Sequence, residues 1–221
     1  MMKLNLNSRD SVGKILCLGA HSDDIEIGCG GTVLRLIEDL KDLQFCWVVF
    51  SANEERRHEA LKSADAFLAG AREKNVLVKD FRESIFPSQG PKIKEYFEEL
   101  KHELSPDVIF THHRTDLHQD HRVVSDLTWN TFRDHLILEY EIPKYDGDLG
   151  QPNLFVHLDD AIVERKIGSI LSCFQTQRDK HWFDRDTFRA TLRLRGVESC
   201  APQRFAEGFY CRKGVWELGQ R

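Results

Sequence analysis

Short apolar runs alternate with helix-forming segments over the first half of this 221-residue chain, and that alternation leaves few folds open. Lys14-Ile15-Leu16-Cys17-Leu18-Gly19, Phe45-Cys46-Trp47-Val48-Val49-Phe50, Val76-Leu77-Val78 and Asp107-Val108-Ile109-Phe110-Thr111 each read as a strand buried on both faces. Between them, residues 32–40 place Val33, Leu36, Ile37 and Leu40 on one helical face, and helices are predicted at 54–68 and 92–104. Gly28, Gly30 and Gly31 read as a loop leading into the first of these helices. The prediction is an α/β fold: a three-layer, mostly parallel, Rossmann-like sheet with helices on both faces and right-handed crossovers. Leu136-Ile137-Leu138, Leu154-Phe155-Val156 and Phe209-Tyr210-Cys211 are further strands, and residues 147–153 form a surface loop.

Ligands of such sheets bind outside the carboxyl ends of the strands. Two acid–histidine clusters stand there: Ala20-His21-Ser22-Asp23-Asp24 after the first run, and Asp116-Leu117-His118-Gln119-Asp120-His121 after the fourth. One such cluster is a weak signal; two at strand ends predict a single metal site, because a hydrolytic zinc centre needs three nitrogen or carboxylate ligands and an open position. His21 and Asp24 lie three apart in a turn, and His118 and His121 repeat that spacing near a helix start. The spacing assigns His21, Asp24 and His121 to the metal and leaves Asp23 and His118 as base and acid. His112 and His113 compete as ligands, but neighbours on a strand point to opposite faces, so at most one faces the ion. The simpler account, that these residues only cap helices, suits any one of them better than the whole set.

The length suits one domain spanning residues 1–221, with a core at about 14–135 and a C-terminal part that completes the pocket. A hydrophobic content of 41% with 30% charged residues supports a packed core. A net charge of −5 and scattered basic residues argue against a nucleic-acid partner. Met1-Met2-Lys3-Leu4-Asn5-Leu6-Asn7-Ser8 lacks the apolar core of a secretory signal, and no later run is long enough to span a bilayer. The expectation is a cytoplasmic protein without membrane insertion; a homo-oligomer is compatible with the composition. The six cysteines are dispersed without a C-x-x-C pair and read as free thiols.

Ala20-His21-Ser22-Asp23-Asp24-Ile25-Glu26-Ile27-Gly28-Cys29-Gly30-Gly31, followed by Asp116-x-His118-x-Asp120-His121-Arg122, resembles the PIG-L/LmbE-like family of zinc-dependent N-acetyl-sugar deacetylases. That family usually spells its motifs A-H-P-D-D and H-P-D-H; Ser22 and Gln119 replace the two prolines here, removing backbone restraint and no ligand. The resemblance covers roughly residues 14–135. It implies that His21, Asp24 and His121 bind one Zn2+, that Asp23 is the general base and that His118 is the general acid, the same assignment as the spacing makes. Other divalent metals suit the same donors. Asp120 is assigned behind the ligands, orienting a histidine, and Asp116 to substrate. Arg56-x-x-Glu59-Ala60 is similar to a family helix whose arginine faces the sugar, although a surface ion pair between Arg56 and Glu59 explains that spacing as well. Phe205-Ala206-Glu207-x-Phe209 resembles a C-terminal family segment.

The implied reaction removes the N-acetyl group from an N-acetylated amino sugar of the N-acetylglucosamine type, or a sugar conjugate, giving acetate and the free amine. Asp23 takes the proton of the attacking water, and His118, held charged by Asp116 or Asp120, steadies the oxyanion or protonates the amine. A catalytically dead sugar-binding module would need neither residue, and an amidase acting on another sugar conjugate would use the same groups. A dinucleotide-binding turn is excluded because acids occupy the place of its glycines; a two-metal phosphoesterase would need more bridging carboxylates. Trp129, Tyr140, Tyr145, Trp182 and Trp216 are candidate platforms for a pyranose, with Trp182, in the polar run Asp179-Lys180-His181-Trp182, expected to be the exposed one.

Overall fold

The computed structural model describes residues 13–215, so Trp216 and the Met1–Ser8 stretch lie outside the described residues. The first apolar run becomes β1 (Lys14–His21), inside a seven-stranded sheet. β2 (Gln44–Ser51) and β3 (Glu73–Val78) extend it to one side, β4 (Val108–His112) and β5 (Leu136–Tyr140) to the other, all in parallel. β6 (Leu154–Leu158) and β7 (Phe205–Tyr210) finish the second side as an antiparallel pair, giving the order β3-β2-β1-β4-β5-β7-β6. The sheet is therefore mostly parallel, as the alternating pattern predicts. Its direction of growth reverses between β1 and β4, which opens the crevice where ligands of such sheets bind.

Among the described residues six α-helices accompany the sheet: α1 (Asp24–Asp39), α2 (Glu54–Phe67), α3 (Phe86–Glu103), α4 (Gln119–Thr131), α5 (Asp160–Cys173) and α6 (Arg185–Glu198). Ile15 and Cys17 of β1 pack with residues of α1, α2, α5 and α6, whereas Leu16, Leu18 and Ala20 pack with those of α3 and α4. Covering on both faces explains why these strands are continuous apolar runs rather than alternating ones.

Two helices start earlier than the sequence suggests. α1 begins at Asp24, with Gly28, Gly30 and Gly31 inside it. Those glycines let the helix sit closely: a Cβ on Gly28 would fall 2.1 Å from Tyr140 Cδ2, and one on Gly30 would fall 2.5 Å from Phe67. α3 begins at Phe86 because Pro87 occupies its first turn, where an N–H is not needed, and the Phe86 side chain is buried. α5 and α6 carry no counterpart in the sequence reading. α6 packs on β7 and α5 packs on α1 and α2, and a buried ion pair ties α5 to β7: Lys166 Nζ donates to Glu207 Oε1 at 2.6 Å, and Glu207 accepts from the amides of Gly31 and Thr32. Cys17, Cys29, Cys46 and Cys173 are buried thiols. Among the described residues no helix is long and apolar enough to cross a membrane.

Candidate metal and catalytic site

Only Ser22 and Asp23 separate β1 from α1, so the first cluster is one tight turn. Its closure requires Asp23 at φ 140 and ψ −17, a region that favours glycine, which marks stored backbone strain. The His21 amide donates to Asp24 Oδ2 at 2.6 Å, and His21, Ser22, Asp23 and Asp24 are all buried. The second cluster lies on a longer segment between β4 and α4. There Asp116 Oδ1 accepts from the His118 amide at 2.8 Å, and His118 Nδ1 caps α4 by accepting from the Asp120 amide at 3.2 Å.

β1 and β4 are neighbours, so the two clusters meet. His21 Nε2 lies 3.1 Å from Asp120 Oδ2, and His121 Nδ1 lies 3.0 Å from Asp116 Oδ2. Each of these carboxylates holds a ring N–H and turns the other ring nitrogen forward, a tautomer assignment that follows from the partners. His21 Nδ1 and His121 Nε2 then face each other at 3.2 Å, with Asp24 Oδ2 3.5 Å from the first and Asp24 Oδ1 3.5 Å from the second. With those tautomers the three acceptors converge in a buried volume and could hold a metal ion. Their separations also match a tetrahedral zinc ion, since bonds of ~2.0–2.1 Å put neighbouring ligands about 3.3 Å apart.

The two facing rings differ in their electrostatics. Burial disfavours a charged His21, yet its hydrogen bonds to Asp120 and Asp24 outweigh this and push the ring up to about 10, while burial and then His112 push His121 down to about 3. Burial also works against Asp24, but His121, His112 and His21 hold its carboxylate well below the usual range.

His112 and His118 also reach this centre: His21, His118 and His121 bring nitrogens within 4.8 Å of one another, as do the donors of Asp24, His112 and His121. His112 forms the back wall. Its Nε2 accepts from the Ala20 amide at 2.9 Å and lies 3.1 Å from Asp24 Oδ2, and its ring stacks on His121 at 3.9 Å. His113 turns the other way and stacks on Tyr210 at 3.6 Å.

Asp23 sits beside this centre with Oδ1 3.2 Å from Arg56 Nη2, and burial pushes its carboxyl up to about 7, with Arg56 opposing and Asp24 assisting. Arg56 is buried, and Glu59 is not its partner: Arg56 donates to Asp23, Ser22 O and Glu83, while Glu59 accepts from the amide and hydroxyl of Thr176. The surface ion pair is thereby corrected. The expected charge on His118 is also corrected. Burial, then the charge on His21, lower its pKa more than Asp120, Asp24 and Asp116 raise it. With Nδ1 accepting from the Asp120 amide, the neutral ring still carries its proton on Nε2 and remains a donor. Asp116 is buried among His121, the His118 amide and Lys144, so it faces the protein rather than a substrate.

Sequence reasoning missed Lys144, Asp148 and Tyr140 as parts of this architecture. Lys144 Nζ reaches Asp116 Oδ2 at 3.0 Å and Asp148 Oδ2 at 2.5 Å; Tyr140, fully buried, donates to Leu18 O at 2.6 Å and lies 3.3 Å from His112. None stands in a motif, and their role comes from β5 adjoining β4. Trp182 is half-buried against Phe183 and Phe188, Trp129 donates to Glu139, and Tyr145, 70% exposed, is the open aromatic.

A family model described as PIG-L, GlcNAc-PI de-N-acetylase, matches residues 16–132. The uncharacterized deacetylase YaiS of Escherichia coli K12 is 30% identical over 149 residues, which cover 62% of this chain and 78% of that protein. The N,N'-diacetylchitobiose deacetylase of Pyrococcus horikoshii superposes with a TM-score of 0.71 at 21% identity, covering 93% of this chain and 86% of that one. The 4-carboxy-2-hydroxymuconate hydratase GalB of Pseudomonas putida KT2440 gives 0.71 at 14% identity, covering 95% and 100%. The two structures establish a shared fold.

Proposed function

The chain belongs to the PIG-L family, and on that premise we propose that it is a zinc-dependent N-deacetylase acting on an N-acetylated amino sugar or sugar conjugate of the N-acetylglucosamine type. The observation that carries this reading is the convergence of His21 Nδ1, His121 Nε2 and the Asp24 carboxylate at 3.2–3.5 Å, with Asp23 beside them. A hydratase shares the fold, so the fold alone does not select the reaction; the site must. The catalytic unit is one domain in which the antiparallel β6–β7 pair and its helices complete the pocket wall.

A metal ion held by His21, Asp24 and His121 would polarise the acyl carbonyl and bring water into its nucleophilic form near neutral pH. Asp23 accepts the proton of the attacking water at its carboxylate, and its pKa near about 7 suits both uptake and release of that proton. Arg56 holds Asp23 Oδ1 and so fixes the direction of the base. His118 Nε2–H steadies the oxygen that gains negative charge, and the proton taken by Asp23 passes to the leaving amine. Asp116 and Asp120 keep the two ligand rings in the required tautomers.

Acetate release by zinc-loaded protein from a panel of N-acetylated sugars, sugar conjugates and nucleotide sugars tests the reading. Turnover of at least one, lost in Asp23→Asn with metal content kept, is the expected result. Metal-loaded protein that releases no acetate from any of them, yet binds one, favours a sugar-binding module instead.

A further inference from the structure

Two carboxylates stand behind the two ligand imidazoles, and their own partners differ in charge. Asp120, behind His21, accepts from the backbone amides of Ser84 at 2.6 Å and Phe86 at 3.0 Å. Asp116, behind His121, shares one oxygen between a ring and an ammonium group: Oδ2 lies 3.0 Å from His121 Nδ1 and 3.0 Å from Lys144 Nζ. Lys144 is held there by Asp148, whose Oδ2 also accepts from the Leu117 amide at 2.7 Å, and the Lys144 side chain is only 8% exposed.

We propose that Lys144 is a positioning residue that sets the metal affinity of the centre by drawing negative charge away from the Asp116–His121 pair. This rests on the metal reading above. A carboxylate oxygen that already accepts from an ammonium group is a weaker acceptor for the ring N–H, so less electron density reaches His121 Nε2. The buried positive charge also opposes a second cation nearby. Both effects weaken metal binding, and Asp148 limits them by partly neutralising Lys144. A purely structural Lys144, tying residues 141–153 to the second motif, would have the opposite consequence: its loss would loosen the site and the metal with it.

The sign of the change separates the two. Zn2+ affinity of the full-length protein is measured by competition with a chromogenic chelator for Lys144→Met, Lys144→Arg, Asp148→Asn and His121→Ala. Lys144→Met binds Zn2+ about 10-fold tighter, Lys144→Arg stays near the native value, and Asp148→Asn binds more weakly because the ammonium group then bears on Asp116 alone. Lys144→Gln reads the same sign if the methionine variant does not fold. Weaker or unchanged binding on removing the charge, or a shift of the Lys144 and Asp148 variants in the same direction, overturns the proposal. Native affinity in His121→Ala overturns the ligand set itself, a separate failure.

Discussion

The first motif loop holds two residues between β1 and α1, and the second holds six, 113–118, between β4 and α4. Each flanks a histidine that reaches the same point, but the two loops are ordered by different means. The short loop is buried throughout and stores its cost in one residue, Asp23, whose backbone occupies glycine territory. The long loop is held by side chains: Asp116 on the His118 amide and on His121, and Asp148 on the Leu117 amide. A site can thus be made rigid by sparing the chain any freedom, or by cross-linking a longer segment after the turn is made.

The largest effect tests whether both motifs supply ligands. His21→Ala, just before the first loop, and His121→Ala, just after the second, should each empty the centre of zinc, as read by elemental analysis. Each should also lower kcat/KM by about 10³-fold or more, since metal polarisation is worth several kcal/mol. If one variant keeps full metal content, the loops are not equivalent partners and the ligand set is wrong.

Next comes the strain itself. Asp23→Gly relieves a φ of 140 and removes a buried carboxyl, while the base is lost. Turnover should fall about 10²–10⁴-fold. Relief of ~1–3 kcal/mol of strain should raise Tm by several degrees in a chain of this size. The matching change in the second loop, Asp116→Asn, should do the reverse: it keeps an acceptor for the His118 amide but strips the cross-links to His121 and Lys144, lowering Tm and weakening zinc about 10–100-fold. A fall in Tm for Asp23→Gly would show that the Arg56–Asp23 contact outweighs the strain.

A smaller effect concerns what lies behind both loops. α1 meets β5 where Gly28 faces Tyr140, and Tyr140 reaches back to Leu18 O and His112. Gly28→Ala should cost about 1–3 kcal/mol, because the new methyl displaces a fully buried ring. Metal should be retained. Calorimetry with metal analysis checks both, and an unchanged Tm would mean that α1 shifts without resistance.

The parallel half of the fold was legible because strands covered on both faces must be continuous apolar runs, a pattern that Leu16, Val48 and Ile109 each satisfy. The placement of His21, Asp24 and His121 in one cleft was legible because β1 and β4 must be neighbours for two strand-end clusters to meet. The start of α1 was not, since glycines at 28, 30 and 31 signal a loop locally, and the need for them comes from tertiary contact with Tyr140, with Phe67, and with Leu158 and Glu207 in turn. Lys144 and Asp148 were invisible for another reason. A lone lysine in a loop carries no periodicity, and its partner, Asp116, stands 28 residues away. His118 shows a third limit: its neighbours in sequence are acids, which suggests a charged ring, but burial and His21 decide the matter in space.

The smallest expected effect separates the two loops by what they offer to solvent. Ser22, in the first, is fully buried, whereas Leu117, in the second, is 57% exposed beside His118. The Leu117 backbone is held by Asp148 through its amide and by Arg122 through its carbonyl, so its side chain is free of any part in ordering the loop. Leu117→Ser should therefore leave stability within about 0.5 kcal/mol. If the substrate extends over this loop, the lost apolar contact is worth about 1 kcal/mol, so KM should rise roughly 5-fold with kcat unchanged. A fall in kcat at constant KM would instead show that Leu117 helps place His118, and that the second loop depends on a packed side chain at its tip as well as on its cross-links.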